Sequence, residues 1–309
     1  MENVSFAKRR LPASGSSFGF AFCILALALN CFAQDVKQPN AAGTFYPDDP
    51  QELSQTIDGF LAKTEPEKQA GEIFALIQPH AGYGYSGQTA AYGYKLIKDK
   101  PYKTVIVIAR SHRYNFVGAS VYSSGKFRTP LGDIEVDEEF TQKLLNRDNE
   151  VTFMPEVFSG EHAVEVQLPF LQKVLKDFKI VPIIVGDMTF SGCQKLADLL
   201  EAAIGARKDV LVVASTDMYH GGDYQALRAT DNLTISYLKK MDSQGLYYGL
   251  REEKLQLCGG FAVVTALILS TELGHKKLQV LKYTNSADVT GVKSNWMVGY
   301  VSCAIDQEG

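Results

Sequence analysis

Beyond the short run Lys8-Arg9-Arg10, this chain of 309 residues has no strongly basic patch and no aromatic–basic interleaving. The electrostatic footprint of a nucleic-acid binder is therefore missing. Also missing is an apolar run of the roughly 20 residues that a membrane-spanning helix needs. The longest one, Phe18 to Leu29, is too short to span a bilayer comfortably, and neither internal repeats nor low-complexity segments occur. Cysteine is sparse, five in all. Lys8, Arg9 and Arg10 before the apolar run, and Cys31-Phe32-Ala33 before Gln34, read as a signal peptide over residues 1–33, cleaved after Ala33. A single domain is expected over 34–309, exported to the periplasm or beyond the cell, with no stable membrane insertion after cleavage. Lipidation of Cys31 is a weaker reading, because Asn30 stands where Gly, Ala or Ser is usual, and a retained anchor is the third. Loss of Glu2, Lys8, Arg9 and Arg10 removes a net +2, taking the formal charge from −4 to −6. Cys193, Cys258 and Cys303 remain, an odd number that leaves at least one thiol without an internal disulfide partner.

What is present is a series of short apolar runs that stop at polar side chains. Phe74 to Ile77 reads as a buried strand ended by Pro79, with His80 next and Gly82 and Gly84 turning into a helix. Thr104 to Ala109 runs into Arg110-Ser111-His112, and Val210 to Ala214 into Asp217 with His220 close behind. Strand carboxyl ends are where open α/β sheets collect their chemistry. Helices are expected from Asp49 (buried face Leu53, Ile57, Phe60, Leu61), over Thr89 to Ile97, and after Ser159 as N-cap with Glu161 and His162 in the first turn. Others are expected over Cys193 to Ala203, Tyr224 to Met241 and Phe261 to Leu273, the last stopped by Gly274. Further strands are Lys179 to Asp187, Leu278 to Tyr283, Trp296 to Ile305 and a hairpin over 121–136. The alternation predicts an α/β fold whose mostly parallel sheet is covered on both faces.

Four of the five histidines, His80, His112, His162 and His220, lie at element junctions. One alone reads as a structural, hydrogen-bonded histidine; four beside Glu161, Asp217 and Cys258 point to a metal or acid–base site. His275, after Gly274, reads as a surface residue. Cys258, at a glycine-rich helix start, is placed where the macrodipole lowers a thiol pKa and favours the thiolate. Its plain alternative is a small apolar plug under the helix. Asp217 and His220, three apart, would share one side of a helical turn, although Asp217 reads equally as a turn cap and Glu161 as a helix N-terminal charge. Tyr83, Tyr85 and Tyr114 read as pocket walls, Cys193 and Cys303 as core or disulfide residues.

Six segments carry a resemblance: Ala42-Gly43-Thr44-Phe45-Tyr46-Pro47, Pro79-His80-Ala81-Gly82-Tyr83, Ser111-His112, Glu161-His162, Ser215-Thr216-Asp217-Met218-Tyr219-His220 and Cys258-Gly259. They occur in the order seen in the Memo-like family, whose bacterial and archaeal members are called AmmeMemoRadiSam system protein B. The chain resembles that family over essentially all of 34–309. The resemblance implies a three-layer αβα sandwich, similar in fold to the class III extradiol dioxygenases. By position, it puts metal ligands at His80, His112 and Cys258, with Asp217, His220 and His162 lining the same pocket as catalytic candidates. Iron is the metal it implies and copper the competitor, since thiolate with imidazole suits either. The dioxygenases use two histidines and a carboxylate; with cysteine in the carboxylate's place, ring cleavage does not follow from the fold. The expectation is an iron-dependent redox enzyme acting on a small molecule, with His220 or His162 moving a proton. Its rivals are a hydrolase or amidase with Cys258 as nucleophile, His220 as base and Asp217 as orienter, and a non-catalytic metal- or peptide-binding module. The resemblance also suggests a radical-SAM enzyme as partner, against which the expected export counts.

Overall fold

Continuous runs of aliphatic residues make strands that are buried on both faces, and four of them form the centre of the sheet in the computed structural model. It describes residues 35–65, 72–146 and 151–306; the expected signal peptide lies outside them. In chain order the elements are β1 (Val36–Lys37), α1 (Pro50–Ala62), β2 (Ile73–Gln78), α2 (Tyr83–Leu96), β3 (Thr104–Arg110), β4 (Ala119–Val121), β5 (Lys126–Thr129), β6 (Gly132–Glu135), α3 (Glu138–Leu145) and β7 (Val151–Thr152). Then follow α4 (Leu168–Val174), β8 (Lys179–Val185), α5 (Phe190–Ile204), β9 (Val210–Ser215), β10 (His220–Gly221), α6 (Tyr224–Lys239), α7 (Ser243–Arg251), α8 (Gly260–Glu272), β11 (Lys277–Asn285), α9 (Ser286–Thr290) and β12 (Met297–Asp306).

The main sheet has the order β10-β12-β2-β9-β3-β8-β4-β7, with β11 also pairing β12. The architecture is α/β, but the sheet is mixed where a mostly parallel one was expected. Strands β2, β9, β3 and β8 run parallel, with Ile77 opposite Ala214 and Ile108 opposite both Ala214 and Ile183. Antiparallel pairings flank them: β12 on β2, β11 and β10 on β12, and β4 on β8. The central strands are linked by helical segments long enough to cross over, whereas β11 and β12 are joined by the single short helix α9 and reverse. Aliphatic cores fill both sides of the sheet. One lies under α3, α5 and α8, the other under α1, α2 and α4, an arrangement compatible with a three-layer sandwich.

Local rules explain most boundaries. Asp49 caps α1, its Oδ1 accepting from Gln51 and Glu52 N–H at 2.9 and 2.8 Å, and Leu53, Ile57 and Leu61 are buried. Gly274 follows α8 with φ at +87°. Two expectations fail. The 121–136 region splits: β4 joins the main sheet, whereas β5 and β6 form a hairpin in a separate three-stranded sheet with β1. No helix begins at Ser159 either. Pro155–Phe158 is a 3-10 turn, Gly160 sits at φ +69°, and the chain becomes helical only at Glu165. The backbone is the reason: Ser159 is extended at φ −72°, ψ 120° and Gly160 is left-handed, and Glu161 then caps the following turn by accepting the N–H groups of His162 and Ala163.

Candidate metal centre

The parallel strands β2, β3 and β9 deliver their carboxyl ends to one place, and α8 starts against them. His80 follows β2, His112 follows β3, Asp217 follows β9, and Cys258 sits just before α8. The two segments after β9 and before α8 are laced together, since Cys258 N–H donates to Asp217 O at 3.1 Å and Gly259 N–H to Thr216 Oγ1 at 2.9 Å. The metal-type donor atoms of His80, His112 and Cys258 all lie within 4.8 Å of one another. A second group, His112, Glu161 and His162, meets the same criterion.

Hydrogen bonds decide which atoms are free to bind an ion. The Ser215 hydroxyl donates to Ala163 O at 2.7 Å, and Gln167 Nε2 donates to Ser215 Oγ at 2.8 Å. The remaining contact, His80 Nδ1 to Ser215 Oγ at 2.9 Å, must therefore be donated by the imidazole. His80 Nε2 thus carries a lone pair, and it faces Cys258 Sγ at 2.9 Å. Behind Ser215, Gln167 is itself held by Tyr94, whose hydroxyl donates to Gln167 Oε1 at 2.6 Å, and by Pro79 O at 3.0 Å. Likewise His112 Nδ1–H donates to Glu161 Oε1 at 2.9 Å, which turns its Nε2 outward as a ligand. Glu161 also accepts the backbone N–H groups of His112, His162 and Ala163 at 2.6, 2.8 and 2.9 Å. Burial would raise its pKa, but the His112 hydrogen bond and charge, with the backbone donors, outweigh that and hold it at about 2. A carboxylate so committed orients His112 rather than binding an ion, which favours the cysteine-containing group.

Cys258 corrects one expectation. Burial, reinforced by the nearby Asp217 carboxylate, pushes its thiol up to about 12, against the lowering effect of the Asp217 N–H that reaches Sγ at 3.0 Å. The helix start does not make it a free thiolate; a bound cation would. Two imidazoles and one ionisable thiol are a donor set that fits a borderline divalent ion, with the about 3.5 Å donor separations of a tetrahedral site falling inside the 4.8 Å spread.

The other histidines and Asp217 adjoin the centre. Asp217, buried, has its pKa pushed up to about 7 by desolvation, opposed by the N–H groups of His80 and Ala81 that it accepts. It does not pair with His220, because no helical turn forms between them: His220 enters β10, and its Nδ1–H donates to Met218 O at 2.8 Å. His162 stacks between Phe45 and His112, with ring centroids at 4.2 and 4.6 Å, and burial lowers its pKa to about 4 against the pull of Glu161. His275 is half-buried rather than fully exposed, its ring stacking on Phe74 at 4.5 Å. Cys193 and Cys303 are buried free thiols. Tyr83 is buried and donates to Val166 O, Tyr85 is exposed, and Tyr114 lines a cleft of about 980 Å³ whose walls include His112, His220 and Cys258.

A model of the Memo-like protein family matches residues 37–304. The chain belongs to the Memo-like family. Among its relatives, a MEMO1 family protein of Methanobrevibacter smithii is 35% identical over 278 residues, spanning 86% of this chain and 98% of that protein. Similar proteins of the same description occur in Sulfolobus acidocaldarius, 34% identical over 282 residues, and Nitrosopumilus maritimus, 32% over 270, each covered to 98% by 86% of this chain. In this Memo-like chain the orienting residues Gln167 and Tyr94 carry no signal in the sequence. Both lie within helical patterns that read simply as packing, whereas Ser215, the third orienting residue, opens the Ser215–His220 motif.

Proposed function

We propose that His80, His112 and Cys258 hold one metal ion, iron in the first place and copper as its competitor, and that the protein is a redox enzyme acting on a small molecule admitted through the cleft. The observation that carries this reading is the pair of fixed tautomers: both histidines spend Nδ1–H on a protein acceptor and present Nε2 near one thiol. Bound there, the ion would supply Lewis-acid and electron-transfer chemistry. Around it, the chain's residues orient and move protons. His220 lines the cleft with Nδ1–H bound to Met218 O, so Nε2 is the atom able to accept a proton from a substrate. Asp217, near 7, can hold or release a proton beside Cys258, and His162 packs behind His112 as a support.

The mixed but centrally parallel sheet, and a site at its carboxyl ends, support likeness to the class III extradiol dioxygenases, with Cys258 where those enzymes use a carboxylate. The hydrolase reading loses its machinery: Cys258 is a high-pKa thiol, and Asp217 is bonded to His80 N–H rather than to His220. The proposal includes cleavage after Ala33 and work outside the cytoplasm, without a radical-SAM partner. One experiment tests it. Native protein purified without oxygen is analysed for intact mass and for metal, beside His80→Ala and Cys258→Ser. Near-stoichiometric iron or copper lost in both variants, and a mass lacking residues 1–33, are expected; a metal-free wild type, even after reconstitution, ends the metal reading.

A further inference from the structure

We propose that the cleft recognises the carboxylate of a small organic acid with an apolar body, and that Arg110 holds it. The inference rests on the metal-centre reading above and names a substrate class for that site. Arg110 ends β3 two residues before His112, is half-buried, and lines the same cleft as His112, His220 and Cys258. Its Nε–H donates to Ser111 O at 3.0 Å, and among the described residues its two terminal amino groups have no protein partner. Four other arginines are neutralised: Arg128 by Asp133, Arg207 by Asp209, Arg228 by Asp288 and, on the cleft wall, Arg251 by Asp187 at 2.6 Å; Arg113, whose Nε–H donates to Gly160 O at 3.0 Å, is not among the residues that line the cleft. Arg110 is left with a free two-pronged donor face, the geometry that matches a carboxylate.

The rest of the cleft selects within the anions. No lysine lines it, and Asp187 and Glu253 do, so a monoanion suits it better than a dianionic phosphate. Leu250, Leu255, Leu257 and Phe261, with Trp296 64% exposed at the rim, offer an apolar bed for a body.

The test uses the full chain and three probes of one shape: benzoate, the neutral benzamide and phenyl phosphate. Calorimetry gives affinity, and the fluorescence of Trp296, the single tryptophan of the chain, reports whether binding is in the cleft. Benzoate is expected to bind at least about tenfold more tightly than benzamide and to change that fluorescence. Arg110→Met should weaken benzoate by about tenfold to a hundredfold, the worth of a charged bidentate contact, and leave benzamide unchanged, which also shows the variant to be folded. Arg110→Lys should fall between. Equal binding of benzoate and benzamide, tighter binding of phenyl phosphate, no fluorescence change, or full benzoate affinity in Arg110→Met would each overturn the proposal. Metal content is measured on every sample. Benzoate binding through Arg110 in a protein that takes up no metal would refute the metal centre and leave the carboxylate site standing; metal binding without benzoate selectivity would do the reverse.

Discussion

At the scale of single residues, the centre is governed by groups that never touch a ligand. Glu161 is 2% exposed and its pKa is brought from 4.5 to about 2. Its folded pKa lies below its unfolded one, so its contribution is present above about pH 4.5 and is lost as pH falls toward 2. A shift of this size corresponds to about 3 kcal/mol. Glu161→Gln should therefore be less stable than wild type by that order at pH 6, with the gap narrowing on acidification; a gap independent of pH, in chemical denaturation at several pH values, would sink the assignment. Gln167 acts one step further out. Gln167→Leu leaves Ser215 and Tyr94 without their partner and frees His80 to rotate or change tautomer. A tenfold to hundredfold loss of metal affinity, about what removal of an outer-shell partner costs, is the expected result in a competition titration.

Among elements, the decisive contact is α8 against the end of β9. Gly259 lies so close that an added Cβ would stand 2.2 Å from Ser215 O and 3.0 Å from Thr216 Cβ. Neither is the tip of a flexible side chain, so the helix start itself must move. Gly259→Ala should cost about 1–3 kcal/mol in unfolding free energy and, because Cys258 shifts with it, weaken metal binding more than the stability loss alone would suggest. Wild-type metal affinity in this variant, measured by titration, would show that α8 does not position the thiol. The same packing explains why the Cys258 pKa rises: the segment is buried between β9 and α8, and desolvation exceeds the pull of the helix start.

For the molecule as a whole, a bound ion would tie together the ends of β2 and β3 and the start of α8, segments 178 residues apart at the extremes His80 and Cys258. An ion that binds only the folded state stabilises it, by about 2.7 kcal/mol at a free concentration a hundredfold above Kd. Scanning calorimetry should show a lower unfolding temperature with chelator than with metal, and no such difference in His80→Ala. Equal temperatures with and without chelator in wild type would argue against a site that joins these elements.

Much of this was legible in the residues. Aliphatic runs ending at His80, His112 and Asp217 announced strands with a site at their carboxyl ends, Asp49 and Gly274 marked helix limits, and the motif order pointed to the family. Each is a local signal, carried by periodicity, capping chemistry or short spacing. What the residues alone did not reveal depends on partners distant in the chain. Strand direction at the sheet edges follows from connections and pairing, so the mixed sheet was not visible. No helix starts at Ser159, where the backbone is extended and Gly160 turns left-handed, and the Glu161 carboxylate instead ties that turn to the N–H of His112, 49 residues away. The thiol of Cys258 is set by burial against β9 rather than by its own helix start, and the tautomer of His80 by Ser215 and Gln167. Sequence determined which groups could do chemistry; tertiary structure decided their protonation and aim, because both depend on desolvation and on hydrogen bonds closed only in the folded chain.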